Sequence, residues 1–280
     1  MPWKPHSQWH LTRLDNMAHI PRKRFGQNFL HDFGIINHIV SSLQAKPGQH
    51  FVEIGPGQGA LTEPLLKQGV NLDVVELDRD LVGLLARQFD RYPNLNIHSA
   101  DALKFDFSAL AEHGEKLRII GNLPYNISTP LMFHLLESAD CVEDMHFMLQ
   151  KEVVDRICAT PGGKEYGRLS IMMQYYCTAE HLFDVGPESF DPAPKVMSAI
   201  IRLVPHRQPP VQVNDLAKFK AIVTQAFSQR RKTIRNSLKK SIIEADFDAL
   251  AIDPKLRAEN LSLHDFARIS NWVTELEKII

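Results

Sequence analysis

The sequence predicts an α/β protein: a mostly parallel sheet wrapped by helices and ending in an antiparallel edge hairpin, then a small all-helical domain. Three observations carry this. Short apolar runs alternate with amphipathic helical stretches from His50 to Gln150, the pattern of parallel strands joined by right-handed crossovers. The last two strand candidates are joined by a segment with three prolines and no helix, which suits a hairpin at the sheet edge. Beyond the Pro-rich stretch His206–Pro210 the apolar periodicity is purely helical.

The elements follow in chain order. Asp32 is placed to cap a helix through Leu43, whose Ile35, Ile36, Ile39, Val40 and Leu43 share one face. His50–Ile54 reads as a strand, 55–59 as a Gly-rich turn and 60–68 as a helix. Leu72–Leu77 is a second strand and 79–89 a second crossover helix, followed by a strand near 94–98. Leu117–Gly121 leads into a turn and a helix over 129–137, and Met145–Gln150 into a helix over 151–158. After Pro161-Gly162-Gly163 comes a helix over 167–177, then the hairpin strands His181–Val185 and Met197–Leu203. The C-terminal part is expected to form helices near 215–229, 231–245 and 262–278.

Bulk properties narrow the class. The chain has 280 residues and is 44% hydrophobic, enough for an α/β core plus a smaller appendage. No stretch approaches the ~20 apolar residues of a membrane span, and the N-terminus has no apolar signal segment. Cys141, Cys158 and Cys177 are far apart, and the thirteen histidines lack ligand spacing, so neither a disulfide framework nor a metal site is expected. A cytoplasmic protein is the expectation, and nothing demands a dimer. The net charge of −1 hides an uneven spread: residues 207–240 carry nine Lys/Arg against Asp215 alone, and residues 1–30 carry five against Asp15. Two basic segments flank an acidic middle, and the local field governs which partners approach.

Two motifs carry chemistry. Glu53-Ile54-Gly55-Pro56-Gly57-Gln58-Gly59 places glycines where a strand gives way to a helix, which permits a sharp turn and close approach of a ligand. Glu76 ends the next strand and suits both hydroxyls of a ribose, in NAD or in S-adenosylmethionine. The spacing G-x-G-x-G differs from the dinucleotide G-x-G-x-x-G. Asp101 is placed either to accept from an adenine amine or to cap a helix. The second motif, Asn122-Leu123-Pro124-Tyr125, decides the chemistry. An exocyclic adenine amine is a poor nucleophile because its lone pair is delocalised into the ring. Asn122 Oδ1 and the Leu123 carbonyl could grip its N–H groups and direct that lone pair, Pro124 stiffens the turn, and Tyr125 offers a ring for stacking the base. A sulfonium methyl is already activated, so alignment supplies most of the catalysis and no general base is assigned.

The chain from Arg22 onward resembles the ribosomal RNA small-subunit adenine N6-dimethyltransferases. The matching segments are Arg24–Leu30, Glu53–Thr62, Val75–Asp78, Asp101, Asn122–Tyr125, Phe190–Ser198 and Gln229–Asn236, in that order. The resemblance implies a Rossmann-like class I methyltransferase sheet with S-adenosyl-L-methionine as methyl donor. Asn28 and Leu30 would close the cofactor site, Gly55 and Gly57 would meet the cofactor, Glu76 its ribose and Asp101 its adenine. Asn122 would hold the target amine, with Phe190 facing Tyr125 across the base. Members convert two adjacent adenosines near the 3′ end of small-subunit (16S-type) rRNA to N6,N6-dimethyladenosine, which ties them to ribosome biogenesis and to a pre-ribosomal particle. The implied organisation is a leader over 1–18, an S-adenosylmethionine-binding catalytic domain over 19–206 and a helical RNA-binding domain over 207–280.

Plainer readings stand beside these. Phe190 could anchor a loop on the core, and Phe25 and Phe29 could cover the sheet edge. Arg230, Arg231, Lys232 and Arg235 could be a solvated helix face, although the local excess of positive charge favours phosphate contact, with Thr233 and Asn236 as neutral donors. A large-subunit rRNA methyltransferase and a ribosome-assembly factor acting by binding are the competing functions. A DNA adenine methyltransferase fits less well, because N-L-P-Y lacks the second proline of N-P-P-Y or D-P-P-Y.

Overall fold

The computed structural model describes residues 27–111 and 114–279, so the expected leader, the basic run Arg22–Arg24, and Phe25 lie outside the described residues. Its centre is a seven-stranded sheet of order β4-β3-β2-β5-β6-β9-β7. The strands are β2 (His50–Ile54), β3 (Asn71–Glu76), β4 (Leu95–Ser99), β5 (Leu117–Asn122), β6 (Val142–Gln150), β7 (Cys177–Val185) and β9 (Ser198–Pro205). The first five run parallel; β9 pairs antiparallel with both β6 and β7, which sets the hairpin at the edge as the connection suggested. Strand β7 starts four residues earlier than expected, at Cys177, because α6 (Arg168–Tyr176) leads into it without a loop.

Both faces of the sheet are covered, so alternate residues serve separate cores. Val52, Ile54 and Ile119 face a cluster that includes Leu131 and Leu135 of α4 (Ser128–Leu136) and Val154 and Ile157 of α5 (Lys151–Cys158). Phe51, Val74, Ile120 and Met148 face the other cluster. It holds Ile36, Ile39, Val40 and Leu43 of α1 (Phe33–Leu43), Leu65 and Leu66 of α2 (Thr62–Lys67), and Leu85 of α3 (Arg79–Gln88). Asp32 caps α1 as expected, its Oδ1 accepting from the Gly34 and Ile35 N–H groups at 2.7 and 3.1 Å. The other member of this face is a ribbon invisible in the apolar pattern: β1 (Phe29–Leu30) pairs antiparallel with β8 (Phe190–Asp191).

After β9 the chain forms α7 (Leu216–Phe227), α8 (Ile234–Leu238), α9 (Glu244–Ala249) and α10 (Leu263–Ile279). Their cluster includes Phe219, Ile234, Leu238, Phe247 and Phe266, and it also takes Tyr166 together with Ile171, Met172 and Tyr175 of α6. The core of the C-terminal helices therefore draws on residues from both sides of His206–Pro210. The helix expected over 231–245 is instead two short helices. Ile234, Leu238 and Ile242 keep a four-residue spacing inward, but the next buried apolar residue, Phe247, is out of phase with it. The chain turns at 239–243, and Asp246 accepts the Ile243 N–H at 2.8 Å as α9 begins.

Candidate active site

A cavity of about 380 Å³ opens at the C-terminal ends of β2, β3, β4 and β5, the end of an open α/β sheet where ligands bind. Its wall holds Asn28, Leu30, Gly55, Gly57, Glu76, Asp101, Asn122, Leu123, Pro124, Tyr125 and Phe190. The structure thus brings together every residue singled out above for cofactor and target base, from segments spread across some 160 positions.

The glycine turn forms one side. Gly55 has φ +65°, and a Cβ on it would stand 4.0 Å from the Asn122 carbonyl, so the loop and the N-L-P-Y turn are immediate neighbours. Gly57, at φ +58°, lies beneath the Phe29 ring, which would sit 3.1 Å from an added Cβ. Below the turn, Glu53 is buried and accepts from the Thr62 hydroxyl at 2.6 Å. Burial is the main cause that pushes its carboxyl up to about 7, with the Glu76 charge adding and the Thr62 bond opposing.

Glu76 ends β3 with its carboxylate taking the Asp78 N–H at 2.8 Å. Burial raises its pKa, opposed by bonds from the Asp78, Gly57 and Leu77 backbone. An anchored carboxylate beside the glycine turn can accept from vicinal hydroxyls. Asp101 Oδ1 accepts from the Leu103 N–H at 3.0 Å in a turn rather than at a helix start, while its Oδ2 has no partner among the described residues. The apolar side chains of Leu77, Leu81, Ala102 and Leu103 line the same region and offer flat walls for a purine.

The N-L-P-Y turn closes the opposite side. Asn122 Nδ2 donates to the Asn28 carbonyl at 3.1 Å. A carbonyl only accepts, so the amide NH₂ must face Asn28, and Oδ1 keeps its lone pairs for another donor. Pro124 and the half-buried Tyr125 follow, with the Tyr125 hydroxyl 3.1 Å from Ser198 Oγ. Phe190 is buried on the β1–β8 ribbon, so anchoring and lining are served by one ring.

Sequence reasoning missed the links that hold this wall in place. Gln27 Nε2 reaches Asp78 Oδ2 at 3.4 Å, and the His31 N–H donates to Ser189 O at 3.0 Å, so the segment before α1 is tied over the cavity. Gln27, Asn28 and Ser198 all lie in motifs matched above, but motif membership does not reveal a partner. Leu77, expected as the last residue of a strand, lies just beyond it and lines the cavity while exposed, which no sequence pattern indicated.

The basic segment is placed differently from expectation. Arg230, Arg231 and Lys232 stand on a turn over 228–232, not on a helix, and only Arg235 lies in α8. Arg230 donates to the Lys164 carbonyl at 2.7 Å and lies 3.5 Å from Glu259, and Arg235 pairs with Glu244 at 2.8 Å. Arg231 and Lys232 are exposed with no ion pair among the described residues. Thr233 is not a surface donor, because its Oγ1 is buried where the backbone bridges to Arg257.

Comparison with known proteins agrees with this architecture. The family model described as ribosomal RNA adenine dimethylase matches residues 18–275. The Pseudomonas aeruginosa protein named ribosomal RNA small subunit methyltransferase A is 58% identical over 258 residues, covering 92% of this chain and 96% of its own. A Marinomonas protein of the same name is 57% identical over 262 residues, covering 94% and 98%. Among solved structures, a dimethyladenosine transferase from Plasmodium falciparum superposes with TM-score 0.73 at 25% identity over 89% of this chain and 98% of that one. The 23S rRNA methyltransferase ErmE shares the fold, with TM-score 0.69 at 24% identity over 88% and 100%. With a family model matching residues 18–275 and relatives 58% and 57% identical over more than nine-tenths of the chain, the chain belongs to the ribosomal RNA adenine dimethylase family.

Proposed function

We propose that this protein, acting as a monomer on a pre-ribosomal particle, converts two adjacent adenosines near the 3′ end of small-subunit rRNA to N6,N6-dimethyladenosine. S-adenosylmethionine, when bound, supplies a methyl group already activated on a sulfonium. The observation that carries the reading is the pairing of Asn122 with Asn28, which leaves the Asn122 oxygen as an acceptor in the cavity within reach of the glycine turn.

The residues divide the work. Glu76 would accept from the ribose hydroxyls and the free oxygen of Asp101 from the adenine amine, while Gly55 and Gly57 admit the cofactor's backbone-facing edge. Asn122 Oδ1, with the Leu123 carbonyl, would take the two hydrogens of the target amine and turn its lone pair toward the methyl group. Tyr125 and Phe190 would hold the base flipped from its stack, a displacement that unpaired RNA permits at low cost. Preorganised acceptors of this kind act on the transition state more than on binding. The turn carrying Arg230, Arg231 and Lys232, with Arg235, would meet phosphates of the RNA. The organisation proposed is a catalytic unit over 19–206 and a helical RNA-binding unit over 207–280.

The test is methyl transfer to small-subunit particles. Asn122→Ala should lower the rate by about 10²-fold or more, the scale set by removing one preorganised hydrogen-bonding group, while S-adenosylmethionine affinity stays within ~10-fold. Undiminished transfer would defeat the assignment. Mass spectrometry of rRNA from cells with and without the protein locates the modified nucleotides, and loss from large-subunit RNA would move the substrate there.

A further inference from the structure

A second cavity, of about 310 Å³, lies between α4, α6 and α7. Its floor is apolar, from Leu136 and Met172, and its walls carry Phe133 and Tyr176, whose rings meet edge-on at 6.4 Å. Its rim carries Arg168 and Lys220, both exposed. The neighbouring cation on α7, Lys218, is neutralised by Glu277 at 2.6 Å. Arg168 has no ion pair or hydrogen bond among the described residues, and the Lys220 amine lies over the Tyr176 ring at 5.7 Å. The one carboxylate of the wall, Glu137, is exposed and stands 3.3 Å from His134 Nδ1, turned along its own helix.

Stacking rings over an apolar floor beneath two cations are what a nucleobase with its phosphate needs, since every base has a π-face and every linkage a negative charge. The volume sits at the lower end of small-ligand sites, suited to one nucleotide. Helix α4 begins three residues past Tyr125, and Phe133 is five residues farther, roughly 7.5 Å along the helix axis. We infer that this cavity is a second nucleotide-binding site, which holds an unpaired nucleotide of the same RNA while the target adenosine occupies the first. The inference rests on the proposed rRNA substrate. On entry the base takes the Tyr176 face and Lys220 moves from ring to phosphate, beside Arg168.

Binding of the full-length protein to small-subunit particles tests this separately from methyl transfer. In Arg168→Gln/Lys220→Gln the slope of log affinity against log salt should become shallower by about 1.4, two contacts at ~0.7 each for single strands. Tyr176→Leu should weaken binding about 10-fold with the slope unchanged, and Tyr176→Phe should bind as wild type. Maximal rate at saturating particles and S-adenosylmethionine affinity should hold in every variant, which also reports correct folding; Lys220→Gln alone, an exposed change, gives half the slope effect should the double variant fold poorly. Particles substituted with 4-thiouridine should crosslink within 168–176 or 220–224. Wild-type affinity and slope in these variants, or crosslinks from those segments to ribosomal protein rather than RNA, would overturn the inference. Failure of wild-type protein to methylate small-subunit particles would instead overturn the substrate reading.

Discussion

At the scale of single residues, two buried ionisable groups give the protein opposed responses to pH. Glu53 is held near 7 by burial, so the folded chain keeps a proton that the unfolded chain releases between about 4.5 and 7. Stability is full below that window and declines as pH rises through it, by up to roughly 3 kcal/mol. Glu53→Gln keeps an acceptor for Thr62 without a charge, so its urea midpoint should gain steadily on that of the wild type as pH rises from 5 to 8. A parallel decline in the variant would refute this origin. His146 has the reverse sign. It is buried on β6 with neither ring nitrogen hydrogen-bonded among the described residues, and burial lowers its pKa to about 4. Its contribution is present above about 6.5 and is lost as pH falls toward 4, because only the unfolded ring takes the proton. His146→Leu removes two orphaned polar atoms, so it should stabilise by about 1 kcal/mol at pH 7 and by more at pH 5, read from thermal midpoints. A variant less stable at both values would count against it. Neither group is conspicuous in the sequence, where a Glu in a strand and one histidine of thirteen carry no mark of burial.

At the scale of elements, regular periodicity was readable and its interruptions were not. The helix over 32–43, its Asp32 cap and the edge hairpin all follow from local pattern, since capping and amphipathicity are decided within a few residues. The two-residue strands β1 and β8 have no period to detect; they exist because Phe29 and Leu30 meet Asp191 and Phe190 across the fold. The basic segment was visible as charge, but its shape was not. Helical spacing continues through Ile234 and Leu238, and the turn before them depends on the Thr233 bridge to Arg257. On that turn Arg231 and Lys232 project with no ion pair among the described residues, whereas Arg230 and Arg235 are partly matched by Glu259 and Glu244. Unequal effects follow. Arg231→Gln with Lys232→Gln should flatten the salt dependence of RNA binding by about 1.4 to 1.8 log-log units, and Arg230→Gln alone should do less. Equal slopes for wild type and the paired variant would take this turn out of the interface.

At the scale of the whole molecule, the cavity is assembled from strand ends, an N-terminal segment and the edge hairpin, so a ligand there clamps segments that are distant in sequence. S-adenosylhomocysteine at about 100 times its Kd should raise the unfolding free energy by about 2.7 kcal/mol by mass action, and Glu76→Ala should lose most of that gain at the same concentration. Calorimetry of both proteins with and without ligand checks it, and an equal gain in the two would remove Glu76 from the site. The α/β class, the alternation of strands and helices through the main sheet and the glycine and N-L-P-Y motifs were legible in the sequence alone, because strand and helix periods, glycine turns and short motifs are properties of neighbouring residues; Asn28, Leu30 and Phe190 entered only through the family resemblance. Tertiary structure alone decided that Asn28 turns the Asn122 amide, that Phe29 roofs Gly57, that α6 joins the C-terminal core, and that Phe133, Tyr176, Arg168 and Lys220 surround one cavity. Those facts are contacts between segments far apart in the chain, and a contact of that kind comes into existence only when burial of both faces of the sheet fixes where each segment must lie.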